Sequence, residues 1–368
     1  MINTMDKLVN AWYALLNGAL TYNSIPVGVF QEDVPEDTEG HYVILRAEGE
    51  TGVSNKRSFA LDSVVVVDNG SADDSVDIIE KHYPDAALIK HSKNFGFAGG
   101  VNAGIKYAIE KGAKYVALLN NDAVADKGWL ENLAGFLDDN PKAGIAAAKI
   151  CDSEKTHMDS TGELYTIWGL PYPRGRGEEY SDKYDKDTWV FGASGGASLY
   201  RIKMLKQIGL FDEDFFAYYE DGDISFRAQL AGWKIGYVPS AEVYHEINAT
   251  AGAIKGFMTY QTLKNLPLLL WKNVPWRLMP KIWPRLMLAW SGILFSALRR
   301  GQWAAVLKGV TMGTILWPKK LVQRYEIQRN RKVSLDYINS MITHDLPPNA
   351  RKLRNLRKKW WRLQGKHE

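Results

Sequence analysis

A chain of 368 residues with 46% hydrophobic and 24% charged content can bury a large core, which excludes a disordered or low-complexity protein. Its one cysteine, Cys151, excludes an intramolecular disulfide framework and a cysteine-based zinc site. The net charge of +4 is uneven: residues 319–368 carry 14 Lys/Arg against 4 Asp/Glu, so an acidic body argues against a nucleic-acid clamp and a basic tail suits anionic lipid.

The opening MINTMDK lacks the charged-then-apolar pattern of an export signal, so a cytoplasmic location is expected. Residues 4–20 have helical spacing of apolar side chains (Met5, Leu8, Val9, Trp12, Leu15, Leu16) up to Gly18. From Tyr22 to Arg57 the texture changes to short strands, VGVF and HYVILRAE, around the acidic turn-rich QEDVPEDTEG. Residues 1–60 therefore read as a small α+β segment of their own.

At Leu61 strands and helices begin to alternate: SVVVVD, DDSVDIIEKHY, ALIKH, GGVNAGIKYAIEKG, YVALLNND and GWLENLAGFLDDN. This predicts an α/β domain over 61–250, a Rossmann-like, mostly parallel sheet flanked by helices, with ligands beyond the carboxyl ends of the strands. Between Cys151 and Thr188 the chain turns polar and Gly/Pro-rich, an excursion beside the expected site. Regular structure resumes through WVFGASGGASLYR, FDEDFFAYYEDGDISFR and KIGYVP. Residues 251–368 become helical, aromatic and basic.

Several clusters carry chemistry. DNGSADDS places Asp68 at a strand end, where a carboxylate accepts from a base or ribose; alone, it is also a capped strand-to-helix turn. NFGFAGGVNAG, from Asn94 to Gly104 and including Gly99 and Gly100, puts glycines at a helix start, where amides approach a diphosphate; tight helix-to-sheet packing is the alternative. Asn120-Asn121-Asp122 follows a strand, so Asp122 can share a divalent cation with phosphates. In YYEDGDISFR, Glu220, Asp221 and Asp223 start a helix whose dipole favours charged carboxylates, the state a general base needs. His245 follows a strand, where an imidazole can complete a metal shell.

The ordered series VVVVDNGSADDS, NFGFAGGVNAGI, ALLNNDAV, GGASLYR, GLFDEDFFAYYEDGDISFR and VYHE resembles the inverting family 2 glycosyltransferases of the GT-A fold, specifically rhamnosyltransferase-like members. The resemblance implies that Asp68 contacts the nucleotide, with Asn94, Gly99, Gly100, Asn121 and Asp122 completing the donor site. It implies that Asp122 binds Mg²⁺ or Mn²⁺, that His245 helps hold that metal or the diphosphate, that Asp221 is the catalytic base supported by Glu220, and that Gly195, Gly196, Ala197 and Asp223 shape the donor and acceptor pocket. The implied reaction is a single displacement with inversion, moving a sugar such as L-rhamnose in cell-surface polysaccharide synthesis. Implied partners are a dTDP-, UDP- or GDP-sugar, a glycan or polyprenyl-linked acceptor and an anionic membrane, with no nucleic acid; a homo-oligomer is left open.

One departure stands out. The family's first strand, which ends in a Thr-Tyr-Asn-type turn and helps hold the base, has no apolar counterpart, because Thr21-Tyr22-Asn23 follows a helix-like segment. Either residues 1–60 are grafted and a central strand is missing, leaving an impaired binding or scaffold protein, or VGVF or HYVILRA supplies that strand. In the tail, residues 271–317 hold six of the 13 tryptophans, and the apolar run Leu286–Leu298 is too short to span a bilayer. Helices lying on the inner membrane face are expected, with Lys319, Lys320 and the Arg351–Arg362 cluster on lipid; packing back onto the catalytic domain is the alternative.

Overall fold

A computed structural model describes residues 21–22, 25–26, 42–49, 59–245 and 255–345. The helix expected over 4–20, the VGVF strand and the Arg351–Arg362 cluster lie outside them. In chain order the strands are β1 (Thr21–Tyr22), β2 (Ile25–Pro26), β3 (Tyr42–Gly49), β4 (Phe59–Asp68), β5 (Ala87–Lys90), β6 (Tyr115–Asn120), β7 (Ala123–Ala125), β8 (Ala143–Asp152), β9 (Met158–Ser160), β10 (Glu163–Thr166), β11 (Pro171–Pro173), β12 (Thr188–Val190), β13 (Ala197–Arg201), β14 (Lys234–His245) and β15 (Ile342–Thr343). The helices are α1 (Ser75–His82), α2 (Gly96–Glu110), α3 (Trp129–Asp139), α4 (Ile202–Ile208), α5 (Glu220–Leu230), α6 (Phe257–Asn273), α7 (Met279–Arg299), α8 (Trp303–Arg329) and α9 (Leu335–Met341).

The central sheet has the order β12-β14-β8-β13-β6-β3-β4-β5, with β7 on β14 and β9 on β8. β4, β5, β6, β8 and β14 all run one way, as the βα alternation predicts, but β13 and β3 are inserted antiparallel between them. The sheet is therefore mixed, and its hydrogen-bonded neighbours are mostly antiparallel. The valine run of β4 explains its place inside: Val64 and Val66 face a core with Ile79 of α1 and Leu133 and Leu137 of α3. Val65 and Val67 face the opposite core with Val101 and Ile105 of α2 and Leu205 of α4. A strand buried on both faces needs such a continuous β-branched run, and each buried valine stabilises the fold by about 1.5–3 kcal/mol relative to exposure.

The slot next to β4 is not empty. β3 lies between β4 and β6, antiparallel to both, pairing Tyr42 with Val67 and with Asn120. Residues 42–47 of HYVILRA thus fill the central position, but the first of them, not the last, lie beside the carboxyl ends of β4 and β6.

The helices after residue 255 pack onto the body. Leu266, Leu269 and Leu270 of α6 and Ile282 and Leu286 of α7 form a third core with Phe226 of α5, Tyr165 and Phe191. Lys320, expected on lipid, is fully buried and bonds Asp212 at 2.5 Å and Asp214 at 2.7 Å. Lys319 remains exposed, though its ammonium pairs with Asp214 at 2.7 Å. Lys272 is buried as well, between Asp212 at 2.6 Å and Asp223 at 2.8 Å. These lysines face inward because unpaired buried carboxylates would otherwise be costly. No helix among the described residues is long and apolar enough to cross a membrane.

Candidate functional site

The site gathers at the carboxyl ends of β4, β6 and β14. Asp68 ends β4, almost fully buried, and its Oδ1 accepts from the Ser71 amide at 3.1 Å. Gly70 follows with φ +88°; a Cβ there would stand 2.7 Å from the Lys93 carbonyl carbon, so the close approach of the two loops requires glycine.

The expected diphosphate cradle over Asn94–Gly104 is not formed. A helix offers its first-turn amides to an anion only if they are free. Here Phe95 N donates to Asn69 Oδ1 at 3.1 Å, Gly96 N to Asn94 Oδ1 at 2.6 Å and Ala98 N to the Phe216 carbonyl at 3.1 Å. Asn94, which precedes the N-cap Phe95, accepts the Gly96 amide with its side-chain oxygen, and Gly99 and Gly100 lie buried within α2, with Phe95 Cβ 2.5 Å from where a Gly99 Cβ would sit. The packing alternative describes this segment.

Gly96 matters for another reason. At φ +71° its missing Cβ leaves room for the Phe216 carbonyl, which would lie 2.4 Å away. Phe216 belongs to a turn in which Phe216, Tyr218 and Tyr219 all adopt left-handed backbone (φ +65°, +64° and +74°), a conformation non-glycine residues reach at a cost of about 1–3 kcal/mol each. Asn265 of α6 holds the turn, its Nδ2 lying 2.8–3.0 Å from the carbonyls of Phe215, Ala217 and Tyr218. Immediately after it come Glu220 and Asp221. Gly96→Ala is expected to destabilise the protein by about 1–3 kcal/mol, read by urea denaturation, and to lower turnover by shifting this turn.

Asp221 is half-buried at the start of α5. Its Oδ1 has no side-chain partner and lies 2.6 Å from where a Gly195 Cβ would be, so glycine at 195 admits the carboxylate. Burial raises its pKa to about 6, opposed by the Gly195 amide. Glu220 is buried, and desolvation with the Asp221 charge holds it well above the carboxylate range, as a neutral acid. A third carboxyl joins them: Glu163 of β10, paired through its backbone to Gly192, is raised to about 8 by burial and then by Asp221, against Arg176. Gly196 borders Asn120, whose Nδ2 would be 3.3 Å from a Cβ there, and Ala197 is buried at the head of β13. The Gly195–Gly196 turn therefore separates Asp221 from the Asn120-Asn121-Asp122 corner.

At that corner Asp122 Oδ1 and His245 Nε2 stand 3.2 Å apart, and Asp122 Oδ1 has no hydrogen-bond donor. The other ring nitrogen, Nδ1, lies 3.1 Å from Asp159 Oδ2, and Arg176 pairs with Asp159 Oδ1 at 3.1 Å. Burial opposes the charged ring, but Asp122 and Asp159 outweigh it and raise His245 to about 10. Neighbouring ligands of one octahedral cation, each roughly 2.0–2.1 Å from it, stand roughly 3 Å apart, so Asp122 and His245 fit a shared divalent ion. Among the described residues no three acidic, His or Cys side chains form a complete shell, so other oxygens must supply the rest.

Asp223 does not reach the pocket. Fully buried, it bonds Arg227 at 2.8 Å, Lys272 at 2.8 Å and Asn273 at 2.8 Å. Residues two apart on a helix point to different sides, so Asp221 and Asp223 cannot share one site. Conversely, Asp159, Glu163 and Arg176 belong to the site although they sit in the polar excursion; a carboxylate flanking glycine, as in Asp159 to Gly162, was their only trace in the sequence.

Residues 53–209 match the profile of Glycosyl transferase family 2. An N-acetylglucosaminyl-diphospho-decaprenol L-rhamnosyltransferase of Mycobacterium tuberculosis is 29% identical over 205 residues, covering 50% of this chain and 66% of that protein. The dTDP-rhamnosyl transferase RfbF of Shigella flexneri is 26% identical over 225 residues, covering 57% of this chain and 71% of its own length. Among solved structures, S. aureus TarS 1-349 superposes with a TM-score of 0.41 at 16% identity, covering 72% of this chain and 78% of that one. The match to the mycobacterial relative leaves about a third of its length uncovered.

Proposed function

We propose that this chain, whose residues 53–209 match the profile of Glycosyl transferase family 2, transfers a sugar, L-rhamnose in the first instance, from a nucleoside-diphosphate donor to a hydroxyl of a glycan or polyprenyl-linked glycan, with inversion. The observation that carries the proposal is the pairing, across the Gly195–Gly196 turn, of a half-buried carboxylate with a carboxylate–imidazole corner suited to a cation. The names of the rhamnosyltransferase relatives support the sugar and the lipid-linked acceptor.

Asp122 and His245 would hold Mg²⁺ or Mn²⁺, whose chemistry there is to neutralise charge on a departing nucleoside diphosphate. Asp68, with Asn121 beside the metal corner, would orient the nucleoside. Asp221, ionised above about pH 6, takes the proton of the acceptor hydroxyl as its oxygen bonds to the anomeric carbon and the bond to the diphosphate oxygen breaks. Attack opposite to the leaving group inverts the centre. Glu220 and Glu163, kept neutral by burial, let a single negative charge rest on Asp221.

Peripheral docking on anionic lipid is supported by the outer faces of α7 and α8. Trp283, Leu288, Phe295, Trp303 and Leu307 are exposed there, and residues 247–325 contain no Asp or Glu. Flotation with anionic but not zwitterionic vesicles is the expected behaviour. One observation favours the impaired-scaffold reading, namely that antiparallel β3 brings Tyr42, not a strand's terminal turn, to the nucleotide end. The two are separated by incubating dTDP-rhamnose with a polyprenyl-diphosphate-linked N-acetylglucosamine and following the product by NMR. An anomeric configuration opposite to the donor's is expected; absence of both transfer and donor hydrolysis contradicts the transferase reading.

A further inference from the structure

Sequence patterning pointed to two side chains for a cation, yet the ring of His245 is held from both sides. Its Nε2 faces Asp122 Oδ1 at 3.2 Å and its Nδ1 faces Asp159 Oδ2 at 3.1 Å. Asp159 is only 11% exposed, and it is not free to turn away, since its second oxygen pairs with Arg176 at 3.1 Å. It stands at the centre of β9, which is paired to β8 beside the end of β14 that carries His245. The two residues are 86 positions apart and meet only through the sheet.

We propose that Asp159 is a positioning residue for a divalent-cation site at Asp122 and His245: it accepts the Nδ1 proton of His245, fixes the ring plane and aims Nε2, which gives up its own proton to solvent when a cation binds, toward Asp122 as the ligand atom. The inference rests on the donor-site reading given above. An imidazole whose Nδ1–H is unheld can rotate about its side-chain bonds or present the wrong nitrogen, whereas a carboxylate on Nδ1 removes both freedoms and makes Nε2 a stronger donor. Asp159 is no third ligand, because the imidazole stands between it and the Asp122 oxygen. Arg176 completes the chain Asp122–His245–Asp159–Arg176, which ties the polar excursion over residues 152–187 to the metal corner. The excursion thereby has a role in the site that its loop-like composition conceals.

The test is direct titration of Mn²⁺ into the full-length protein with UDP or dTDP present, with free Mn²⁺ followed by electron paramagnetic resonance. Asp159→Asn keeps the side chain's size and is expected to weaken Mn²⁺ binding by about 10- to 100-fold. Because Asp159 acts through the ring, adding Asp159→Asn to His245→Gln should cost nothing beyond His245→Gln alone. In chelator all of these proteins should keep the wild-type far-UV circular dichroism spectrum and a cooperative melt, which a merely misfolded variant would not reproduce. The proposal is overturned if Asp159→Asn binds Mn²⁺ like the wild type, or if its loss adds in full to that of His245→Gln. If the wild type binds Mn²⁺ no better than Asp122→Ala, the cation site itself fails, and the proposal with it.

Discussion

Asp221→Asn is expected to lower kcat by roughly 10²- to 10⁴-fold while leaving nucleotide affinity unchanged, because the amide fills the same space but cannot take a proton. The same group sets the pH profile. Only its ionised form is a base, so the rate should rise with pH through about 6 and be lost below it. Stability should move in the opposite sense. A carboxyl whose pKa is raised on folding binds more protons in the native state, so its contribution falls as pH rises from the unfolded carboxylate value to about 6. Asp221→Asn should therefore melt higher than wild type at pH 7–8, with the difference vanishing near pH 4. A variant that is both slower and less stable at pH 7.5 would contradict the assignment of a costly, buried base.

Asp212→Ala is expected to cost about 3–5 kcal/mol of stability, the largest loss of any single substitution proposed, because it strips a carboxylate from two buried ammonium groups at once. Lys320→Met should cost much less, since it removes the fully buried charge together with its bond and leaves Asp212 paired to Lys272. Thermal melts of the two variants side by side separate a buried ion network from a surface one, for which both changes would be nearly neutral. The network also predicts acid sensitivity. Although burial alone would raise them, Lys272 with Lys320 holds Asp212 low, and Arg227 with Lys272 holds Asp223 low. Their contribution is complete above the unfolded carboxylate pKa, near 4, and is lost as pH falls below it.

What could be read from the chain follows the range of the interactions involved. The βα alternation from Leu61, the strand-end positions of Asp68 and Asp122, and Asp221 at a helix start are local patterns, and the structure places these groups where local geometry puts them. The pairing of Asp122 with His245 was legible only through the ordered resemblance, since they lie 123 positions apart. Asp223 was misassigned although its spacing from Asp221 already turns it to another side of α5. Lys320 of α8 looked like a lipid-facing charge because the acids that take it inward, Asp212 and Asp214, lie up to 108 positions upstream. Glu163, Asp159 and Arg176 sit in a segment without periodicity, where no hydrophobic pattern marks a side chain as inward. The antiparallel course of β3 was equally hidden, because alternation fixes which residues are apolar and not the direction of the strand.

The most direct test is calorimetric titration of the purified full-length chain with UDP, dTDP and GDP, each with and without Mn²⁺, beside Asp122→Ala. Tight binding of one nucleotide that requires Mn²⁺ and disappears in Asp122→Ala is the predicted result, and it would also identify the carrier. A folded protein that binds none of the three, with or without Mn²⁺, would contradict the account and leave the proposed transferase without a donor site.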